Sequence, residues 1–310
     1  MRWVTYLSPT DRREHVGLVR GGAVHGLRRP ARLLDLLGDD GTRLAEAAAE
    51  IGSDPLEAIP EDSVELRAPI PEPPSIRDFM AFEEHVVTSM TALGRTVDPV
   101  WYEIPVFYFT NPAAVRGPRE EVEISPGSCQ FDYELEVAVV IGRPGRDIHP
   151  EEADAHVAGY TILCDWSARD LQDREMRQGL GPAKGKDGAT SLGPWLVTPD
   201  ELEDARHGNG FDLRMTATVN GTEYSQGNLS DLHWTFAQMI AFASRGTTLR
   251  AGDVLGSGTV GTGCILELSR VHGQDSYPYL SPGDEVRLQV DRLGSLEARI
   301  RPAGDVIPLR

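Results

Sequence analysis

The first candidates for chemistry are two acidic residues. They lie two positions apart in a segment that is typical of a β-strand. Glu134 and Glu136 occur in Phe131-Asp-Tyr-Glu-Leu-Glu-Val-Ala-Val-Val-Ile-Gly142. Side chains two apart on a strand share a face, so both carboxylates point one way and Leu135 and Val137 point the other. A cation between the carboxylates would relieve their repulsion, and oxygen ligands suit Mg²⁺, Ca²⁺ or Mn²⁺. Solvated acidic strand faces are more common, so the pair alone does not decide between the two interpretations.

A second segment, Cys164-Asp-Trp-Ser-Ala-Arg-Asp-Leu-Gln172, predicts a strand that ends at Asp165 and is followed by a helix. Ser167 is a candidate N-cap for that helix because its hydroxyl can accept a hydrogen bond from a free backbone amide. Arg169 and Gln172 are three positions apart and therefore share a helical face. A capped helix with two polar surface side chains would have the same pattern, so both interpretations stay open.

Three further groups of residues could contribute to chemistry. Asp78 and His85 are seven positions apart, which is two helical turns and predicts one shared helical face. Lys186 lies in a glycine-containing loop, and Thr259 precedes a segment that contains Glu267. A lone histidine is more often structural than catalytic, so none of these groups assigns a function by itself.

The elements that must position these residues are mostly short strands separated by glycine and proline. Strands are predicted at residues 134–141, 158–165, 215–219, 265–271 and 285–290. Helices are predicted at residues 77–93, 168–177 and 232–244. This mixture indicates a β-rich α+β fold, because alternating βαβ units would need a helix between successive strands.

The N-terminal part of the chain is expected to form a small α+β domain of its own, residues 1–66. A β-hairpin is predicted at residues 14–27, around Gly21 and Gly22. Residues 68–74 contain four prolines in seven positions, which no helix interior or central strand tolerates. We therefore predict a connection there and a second domain over residues 67–310.

The composition of the 310-residue chain excludes several classes of function. A formal net charge of −18 argues against binding to nucleic acid or to anionic membranes, both of which require a basic surface. The N-terminus lacks the order of a signal peptide, and no apolar run approaches the roughly 20 residues of a membrane span. The three cysteines lack CxxC spacing, so we expect no disulfide framework and a cytoplasmic location.

A glycine pattern, Gly256-Ser-Gly-Thr-Val-Gly261, matches the GxGxxG of dinucleotide-binding loops. Such a loop requires a helix directly after it to receive the pyrophosphate. The segment that follows is predicted as a strand, so a nucleotide site is not expected there.

Taken in order, these segments resemble the fumarylacetoacetate hydrolase superfamily. The resemblance runs from about residue 67 to the C-terminus. Its most specific parts are Asp-Tyr-Glu-Leu-Glu at 132–136, Asp-Trp-Ser-Ala-Arg-Asp-Leu-Gln at 165–172, and Gly-Lys followed by Gly-Pro-Trp within 185–195. The resemblance implies a mixed β-sandwich roll, a homodimer and a divalent cation, Mg²⁺ first and Mn²⁺ or Ca²⁺ as alternatives.

The resemblance also implies a role for individual residues. The metal ligands it implies are Glu134, Glu136, Asp165 and, as a fourth, Asp78. The catalytic residues it implies are a water-activating His85 oriented by Glu267, and an oxyanion-stabilising group of Arg169, Gln172 and Lys186. The positions it places near the metal loop or the substrate are Tyr108, Thr190 and Thr259.

The chemistry implied by the resemblance is hydrolysis of a carbon–carbon bond in a 1,3-diketone or acylpyruvate-like 2-oxo acid, with a metal-stabilised enolate as the leaving group. Met80, Met176 and Gly94 stand where the family's hydrolase has two tyrosines and an arginine that contact the substrate, although Arg95 is adjacent. Decarboxylation or keto–enol isomerisation of a 2-oxo acid on the same metal site is the first alternative. A non-catalytic protein that binds a metal or ligand is the second.

Overall fold

The computed structural model describes residues 1–92 and 94–310. The described residues form α-helices α1 to α5 at Thr42–Ser53, Glu83–Ala92, Arg169–Met176, Phe236–Ser244 and Ile265–His272. Strands β1 to β12 lie at Arg2–Leu7, Glu14–Arg20, Ala23–Gly26, Ala58–Pro60, Glu65–Arg67, Ile76–Phe79, Phe107–Thr110, Val115–Arg116, Val122–Glu123, Phe131–Asp132, Leu135–Ile141 and Gly145–Arg146. Strands β13 to β23 lie at Val157–Asp165, Ser167–Ala168, Thr190–Val197, Arg206–His207, Gly210–Phe211, Arg214–Val219, Thr222–Asn228, Thr248–Leu249, Val254–Gly256, Glu285–Val290 and Gly294–Arg301.

Two sheets account for most of these strands. A 12-stranded sheet runs in the order β4-β3-β2-β1-β15-β13-β11-β21-β6-β7, with β5 paired to β1 and β8 paired to β15. A 5-stranded sheet runs in the order β19-β18-β22-β23-β9. Few helices and many mixed strands confirm the predicted β-rich α+β class and its β-sandwich roll.

Strand β11 lies in the middle of the large sheet and is buried along its whole length. Val137 and Val139 face the main hydrophobic core, together with strands of the 5-stranded sheet. Ala138 and Val140 face a second core that includes Trp3 from the N-terminal strand. A strand buried on both faces explains its nearly continuous apolar sequence. It also confirms that Glu136, two positions before Ala138, points away from Val137.

The N-terminal segment joins the same large sheet. The predicted hairpin is present as β2 and β3, and β1 pairs antiparallel with β15, where Trp3 lies opposite Leu196. The predicted division into residues 1–66 and 67–310 stays a prediction. Strand pairing and a shared apolar core connect the two parts across it.

The predicted helix over residues 77–93 is wrong in its first half. Residues 76–79 form strand β6, which pairs parallel with β21 and antiparallel with β7, and helix α2 begins at Glu83. Asp78 and His85 therefore do not share a helical face. Pairing with two neighbouring strands decided the structure of this segment, and sequence periodicity cannot detect such pairing. Position 93, the end of the predicted helix, lies outside the described residues.

The predicted strand at residues 265–271 is wrong as well, because Ile265–His272 is helix α5. Ile265 and Leu268 are three apart and buried, as on one face of a short helix. The run is short and apolar, and such runs do not distinguish a strand from a buried helix. A helix therefore does follow the Gly256–Gly261 loop, contrary to the reason for which no nucleotide site was expected there. The loop contacts the acidic strand instead, since the amide of Gly258 donates to the side chain of Glu136 at 3.0 Å.

Two smaller predictions concern helix starts. Ser167 does not cap α3, since the N-cap is Ala168 and the Ser167 hydroxyl donates instead to the carbonyl of Asp165 at 3.0 Å. The helix predicted at 232–244 begins at Phe236, where Thr235 accepts from the Gln238 amide. Within the described ranges, no helix combines the length and the apolar character that a membrane span requires.

Candidate active site

The acidic side chains come together because strand register places their strands side by side. Asp78 on β6 lies between Gly256 on β21 and Tyr108 on β7. Asp165, at the end of β13, lies opposite Thr190 on β15. On the other side of β13, Leu135 lies opposite Cys164, and the chain before and after Leu135 carries Glu134 and Glu136. The pairing of these strands therefore brings the acidic side chains into one cluster.

The cluster is buried and tight. One carboxylate oxygen each from Asp78, Glu134 and Asp165 lies within 4.8 Å of the others. Glu136 lies within hydrogen-bonding reach of Asp78 and is fully buried. Close approach requires a residue without a side chain at 256, because a Cβ on Gly256 would lie 2.5 Å from Asp78 Oδ1. We call these four residues the carboxylate cluster.

Three members of the carboxylate cluster have a raised pKa and are harder to ionise than usual. Burial raises the pKa of Asp78 well above its usual range, and the charge of Asp165 adds to the effect. Burial, followed by the charge of Asp78, likewise raises the pKa of Glu136 well above its usual range. Burial also raises the pKa of Asp165, although Lys186 opposes it. Without a compensating cation, the protein would keep part of this cluster protonated.

Two basic side chains enter the cluster at Glu134. Lys186 Nζ lies 2.5 Å from Glu134 Oε2 and 2.6 Å from Asp165 Oδ2. Arg169 Nη1 lies 2.8 Å from Glu134 Oε1. Burial alone would raise the pKa of Glu134, but the two cations outweigh it and lower the pKa. Burial likewise opposes the charge of Lys186, yet Asp165 and Glu134 raise its pKa, so the ammonium stays protonated.

The residues of the carboxylate cluster fit a hard divalent cation. Each of Asp78, Glu136 and Asp165 has one buried oxygen with no hydrogen-bond partner among the described residues. Buried polar atoms are nearly always satisfied, so unpartnered oxygens that belong to one cluster indicate a missing positive partner. Lys186 and Arg169 do not balance the cluster, because Arg169 also serves Asp132. An oxygen-only set of this kind suits Mg²⁺, Mn²⁺ or Ca²⁺.

His85 and Glu267 form a pair beside this cluster. His85 Nδ1 lies 3.1 Å from Glu267 Oε2, and both side chains are buried. Helix α2 carries the histidine and packs against α5, which carries the glutamate in its first turn. The resemblance to the family implied this pair, whereas the sequence predicted a strand and not a helix for the segment of the glutamate. A buried carboxylate beside one imidazole nitrogen orients the ring.

The residues of the predicted oxyanion group make several contacts with other protein groups, which the sequence did not predict. Gln172 Oε1 accepts from Arg169 Nη1 at 3.2 Å, which confirms that the two side chains meet on one helical face. The carbonyl of Lys186 accepts from the Thr110 hydroxyl at 2.9 Å. A Cβ on Gly185 would lie 2.7 Å from the Gln172 amide nitrogen, so this glycine lets the lysine loop pack on α3. The loop is therefore held in place from two sides.

The predicted substrate-contacting residues divide into two groups. Tyr108 donates to Asp165 Oδ2, and Thr190 and Thr259 are buried. Burial, followed by the charge of Asp165, raises the pKa of Tyr108 well above its usual range, so the phenol stays a donor. Met80 is half-buried. Met176, in contrast, is 53% exposed at the end of α3.

Arg95 is exposed in the turn after α2, where its amide donates to the carbonyl of Met90 at 2.9 Å. Trp101, which the sequence analysis did not single out, is bonded to the backbone of Met80. Trp101 Nε1 donates to the Met80 carbonyl at 2.9 Å, and the Trp101 ring lies 4.9 Å from that of Tyr102, edge-on.

Asp132 is the functional candidate that sequence reasoning missed. It is fully buried and accepts from Arg169 Nε at 2.8 Å and from the backbone amides of Ile265 and Leu266 at 2.8 and 2.9 Å. It thereby caps the helix that carries Glu267 and, through Arg169, is connected to Glu134. A signal was present in the sequence, since Asp132 continues the two-residue spacing of Glu134 and Glu136, although the structure places Asp132 in β10 and begins β11 at Leu135.

Removing Asp132 should therefore destabilise the fold. The Asp132→Ala variant leaves a buried guanidinium with one partner fewer, and breaking a buried ion pair costs about 3–5 kcal/mol. We expect the free energy of unfolding in urea to fall by about 3 kcal/mol. Asp173→Ala is the matched control, because Asp173 pairs with Arg177 on the surface and exposed pairs contribute little. Equal stability of the two variants would contradict the assignment.

Comparison with known proteins supports the assignment of a family. Residues 75–301 match the family model described as Fumarylacetoacetate (FAA) hydrolase C-terminal. The human mitochondrial oxaloacetate tautomerase FAHD2A is 30% identical over 302 residues, which cover 95% of this chain and 90% of that protein. The 2,4-didehydro-3-deoxy-L-rhamnonate hydrolase of Sphingomonas sp. (strain SKA58) is 34% identical over 232 residues, which cover 73% of each chain.

Other curated relatives, from Burkholderia species, are covered over only 63% to 66% of their own length. A solved structure, the fumarylacetoacetate hydrolase of psychrophilic Exiguobacterium antarcticum, superposes with a TM-score of 0.73 at 27% identity and covers 97% of this chain and 99% of that one. The match of the family model over most of the chain and the nearly full-length relatives show that this chain belongs to the fumarylacetoacetate hydrolase family.

Proposed function

We propose that this protein is a divalent-cation-dependent hydrolase that cleaves a carbon–carbon bond in a 1,3-diketone or an acylpyruvate-like 2-oxo acid. The observation that carries the proposal is the buried His85–Glu267 pair at 3.1 Å beside a carboxylate cluster with unpartnered oxygens. A hydrolase needs a base for water and a sink for the electrons of the departing carbon. An enzyme that only moves a proton within the substrate has no water to activate.

The cation would be held by Glu134, Glu136 and Asp165, with Asp78 as a further ligand or as a partner through water. Mg²⁺ is our first choice, and Mn²⁺ and Ca²⁺ are the alternatives. When bound, the cation would polarise the substrate's carbonyl oxygens and stabilise negative charge on the departing fragment as a Lewis acid. The support for this assignment is the oxygen-only ligand set and its excess of buried negative charge.

The remaining steps belong to the protein's own side chains. His85 would take a proton from the attacking water, and Glu267 would hold the ring and stabilise the imidazolium that forms. Lys186, kept protonated by Glu134 and Asp165, would donate to the developing oxyanion or return a proton to the carbanion. An oxyanion donor contributes about 3–4 kcal/mol in other hydrolases.

Arg169 and Gln172 are proposed to act with Lys186 on the same oxyanion. Three of the contacts of Arg169 are to protein acceptors, Asp132, Glu134 and Gln172. A large part of its contribution would then be the positioning of Glu134. Tyr108 and Thr190 would orient Asp165, and Thr259 would line the substrate side of the loop after β21.

The partner of this enzyme is a small-molecule substrate, and we also propose a homodimer. The large sheet ends at β7, where Phe109 is 62% exposed. An exposed apolar side chain on an edge strand is a typical place for a second chain to pack. A cytoplasmic location stays a prediction from the three cysteines, which are all unpaired.

Keto–enol isomerisation of a 2-oxo acid is the second candidate function. The observation that favours it is the 30% identity to an oxaloacetate tautomerase over 95% of this chain. Decarboxylation of such an acid would use the same cation and the same lysine. Neither reaction needs an attacking water, so neither would require His85 as a water-activating base. A non-catalytic ligand-binding protein is disfavoured, because it would have no use for a buried histidine–glutamate pair.

A product profile separates these candidates. The Mg²⁺-loaded protein is incubated with a panel of acylpyruvates and with oxaloacetate, and the products are identified by mass spectrometry and NMR. The proposal predicts a carboxylic acid and pyruvate from an acylpyruvate. Conversion of oxaloacetate between its keto and enol forms, with no cleavage of any acylpyruvate, would support the tautomerase instead. Carbon dioxide release would support the decarboxylase.

Substrate choice follows from the residues at the far end of the site. A distal carboxylate needs a positive or hydrogen-bonding partner when it is buried. Met80 stands where the family's hydrolase has a tyrosine, and methionine makes flexible apolar contacts without donating. We predict a higher kcat/KM for a short acylpyruvate with an uncharged tail than for fumarylacetoacetate. A clear preference for fumarylacetoacetate would contradict this, and Arg95→Ala would then test whether Arg95 supplies the contact.

A further inference from the structure

A second group of ligand atoms lies next to the carboxylate cluster. His85, Cys264 and Glu267 each offer one atom within 4.8 Å of the other two, and all three residues are buried. Cys264 Sγ lies 3.8 Å from Glu267 Oε2, and His85 Nδ1 lies 3.1 Å from the same oxygen. We propose that these three side chains form a separate binding site for Zn²⁺ or a cation of similar softness.

The distances suit such an ion. Zinc bonds of about 2.0–2.3 Å in tetrahedral geometry place neighbouring ligand atoms about 3.3–3.8 Å apart. The two distances between the ligand atoms are close to that range before any adjustment of side chains. His85 Nδ1, although 3.1 Å from Glu267 Oε2, makes no hydrogen bond to a described residue, and the second oxygen of that carboxylate, Oε1, has no partner among them either. The fourth position would be left to water.

The donor types separate this site from the carboxylate cluster. Nitrogen and sulfur ligands favour zinc and related transition metals, whereas an all-oxygen set favours Mg²⁺. On binding, the thiol would release its proton to solvent. One thiolate and one carboxylate would then balance the two charges of Zn²⁺, which makes the occupied site neutral.

Occupation of this site has a functional consequence that rests on the proposed role of His85. A metal on His85 Nδ1 would displace Glu267 as the partner of the ring and place positive charge on the imidazole, which weakens His85 as the base that would activate water. Zn²⁺ is therefore expected to inhibit the Mg²⁺-dependent reaction. The thiolate of Cys264 would tighten the binding of Zn²⁺ and so lower its inhibition constant. The presence of a thiol next to the pair makes the enzyme sensitive to soft metals while its own cation is hard.

Cobalt spectroscopy tests the binding without any assay of activity. Metal-free protein is first saturated with Mg²⁺ and then titrated with Co²⁺, which takes the same ligands as Zn²⁺ and shows a near-ultraviolet charge-transfer band when a thiolate binds it. We expect the band in the wild type and in Cys129→Ser, whose cysteine is exposed, and its loss in Cys264→Ser. No band in the wild type, or a band that survives in Cys264→Ser, would overturn the proposal.

Inhibition by Zn²⁺ provides a second readout. Each variant is compared with its own zinc-free rate at saturating Mg²⁺. Loss of even an outer-shell partner weakens metal binding by about 10–100-fold, so removal of a direct ligand should raise the inhibition constant at least about tenfold. Cys264→Ala is the replacement if Cys264→Ser does not fold. If no turnover is found with any substrate, the proposed function fails while the cobalt titration still decides the metal site.

Discussion

Removal of divalent cations is expected to abolish turnover, and Mg²⁺ or Mn²⁺ is expected to restore it. Without a cation, the carboxylate cluster holds four acidic side chains against two shared basic ones, and burial keeps part of it protonated. Partly protonated carboxyl groups lack the positive charge that would stabilise a departing enolate. The measurement is the rate with an acylpyruvate after exhaustive chelation, followed by addition of each metal and by calorimetric titration of Mg²⁺.

The variant that sharpens this test is Glu136→Ala, because Glu136 is fully buried in the carboxylate cluster. Its Mg²⁺ affinity and its activity should both fall. Glu121→Ala is the matched control, since that carboxylate lies on the surface, 3.5 Å from the guanidinium of Arg301. Full activity of Glu136→Ala after exhaustive chelation would rule out the metal-dependent mechanism.

Replacement of His85 by alanine is expected to lower kcat by about 10²-fold or more, the usual scale for loss of a general base. Mg²⁺ affinity should barely change, because the imidazole pairs with Glu267 and does not belong to the carboxylate cluster. His149→Ala is the control, since that histidine is exposed. The measurements are steady-state kinetics and Mg²⁺ titration of all three proteins.

Glu267→Gln separates positioning from chemistry. The amide can still bond to the ring but no longer stabilises the imidazolium, so the pH profile of kcat/KM should change while Mg²⁺ binding persists. If His85→Ala interconverts or decarboxylates oxaloacetate as well as the wild type does, the hydrolytic role of His85 fails. The tautomerase or decarboxylase would then be the better description.

Strand alternation is what made part of this site predictable. Glu134 and Glu136 share a face because side chains repeat every two residues, and no knowledge of the partner strands was needed. The segment that ends at Asp165 and continues into the helix with Arg169 and Gln172 was predictable for the same local reason. The same alternation also includes Asp132, whose burial and three hydrogen bonds become visible only in the folded chain.

The rest depended on contacts between distant segments. Asp78 joins the carboxylate cluster because β6 pairs with β21, nearly 180 residues later, and not because of its spacing to His85. Glu267 meets His85 through packing of two short helices, one of which has the composition of a strand. No sequence pattern predicted the position of Cys264, because a lone cysteine gives no information about which side chains it contacts. Local periodicity carries no information about such pairings.

The most direct test of the central claim is hydrolysis of an acylpyruvate with an uncharged tail in oxygen-18-labelled water, with the Mg²⁺-loaded protein and product analysis by mass spectrometry. The account predicts cleavage of the carbon–carbon bond and one labelled oxygen in the new carboxylate of the acyl fragment, because the water activated by His85 attacks that carbonyl. Recovery of the substrate with its carbon skeleton intact, interconverted only between keto and enol forms, would contradict it.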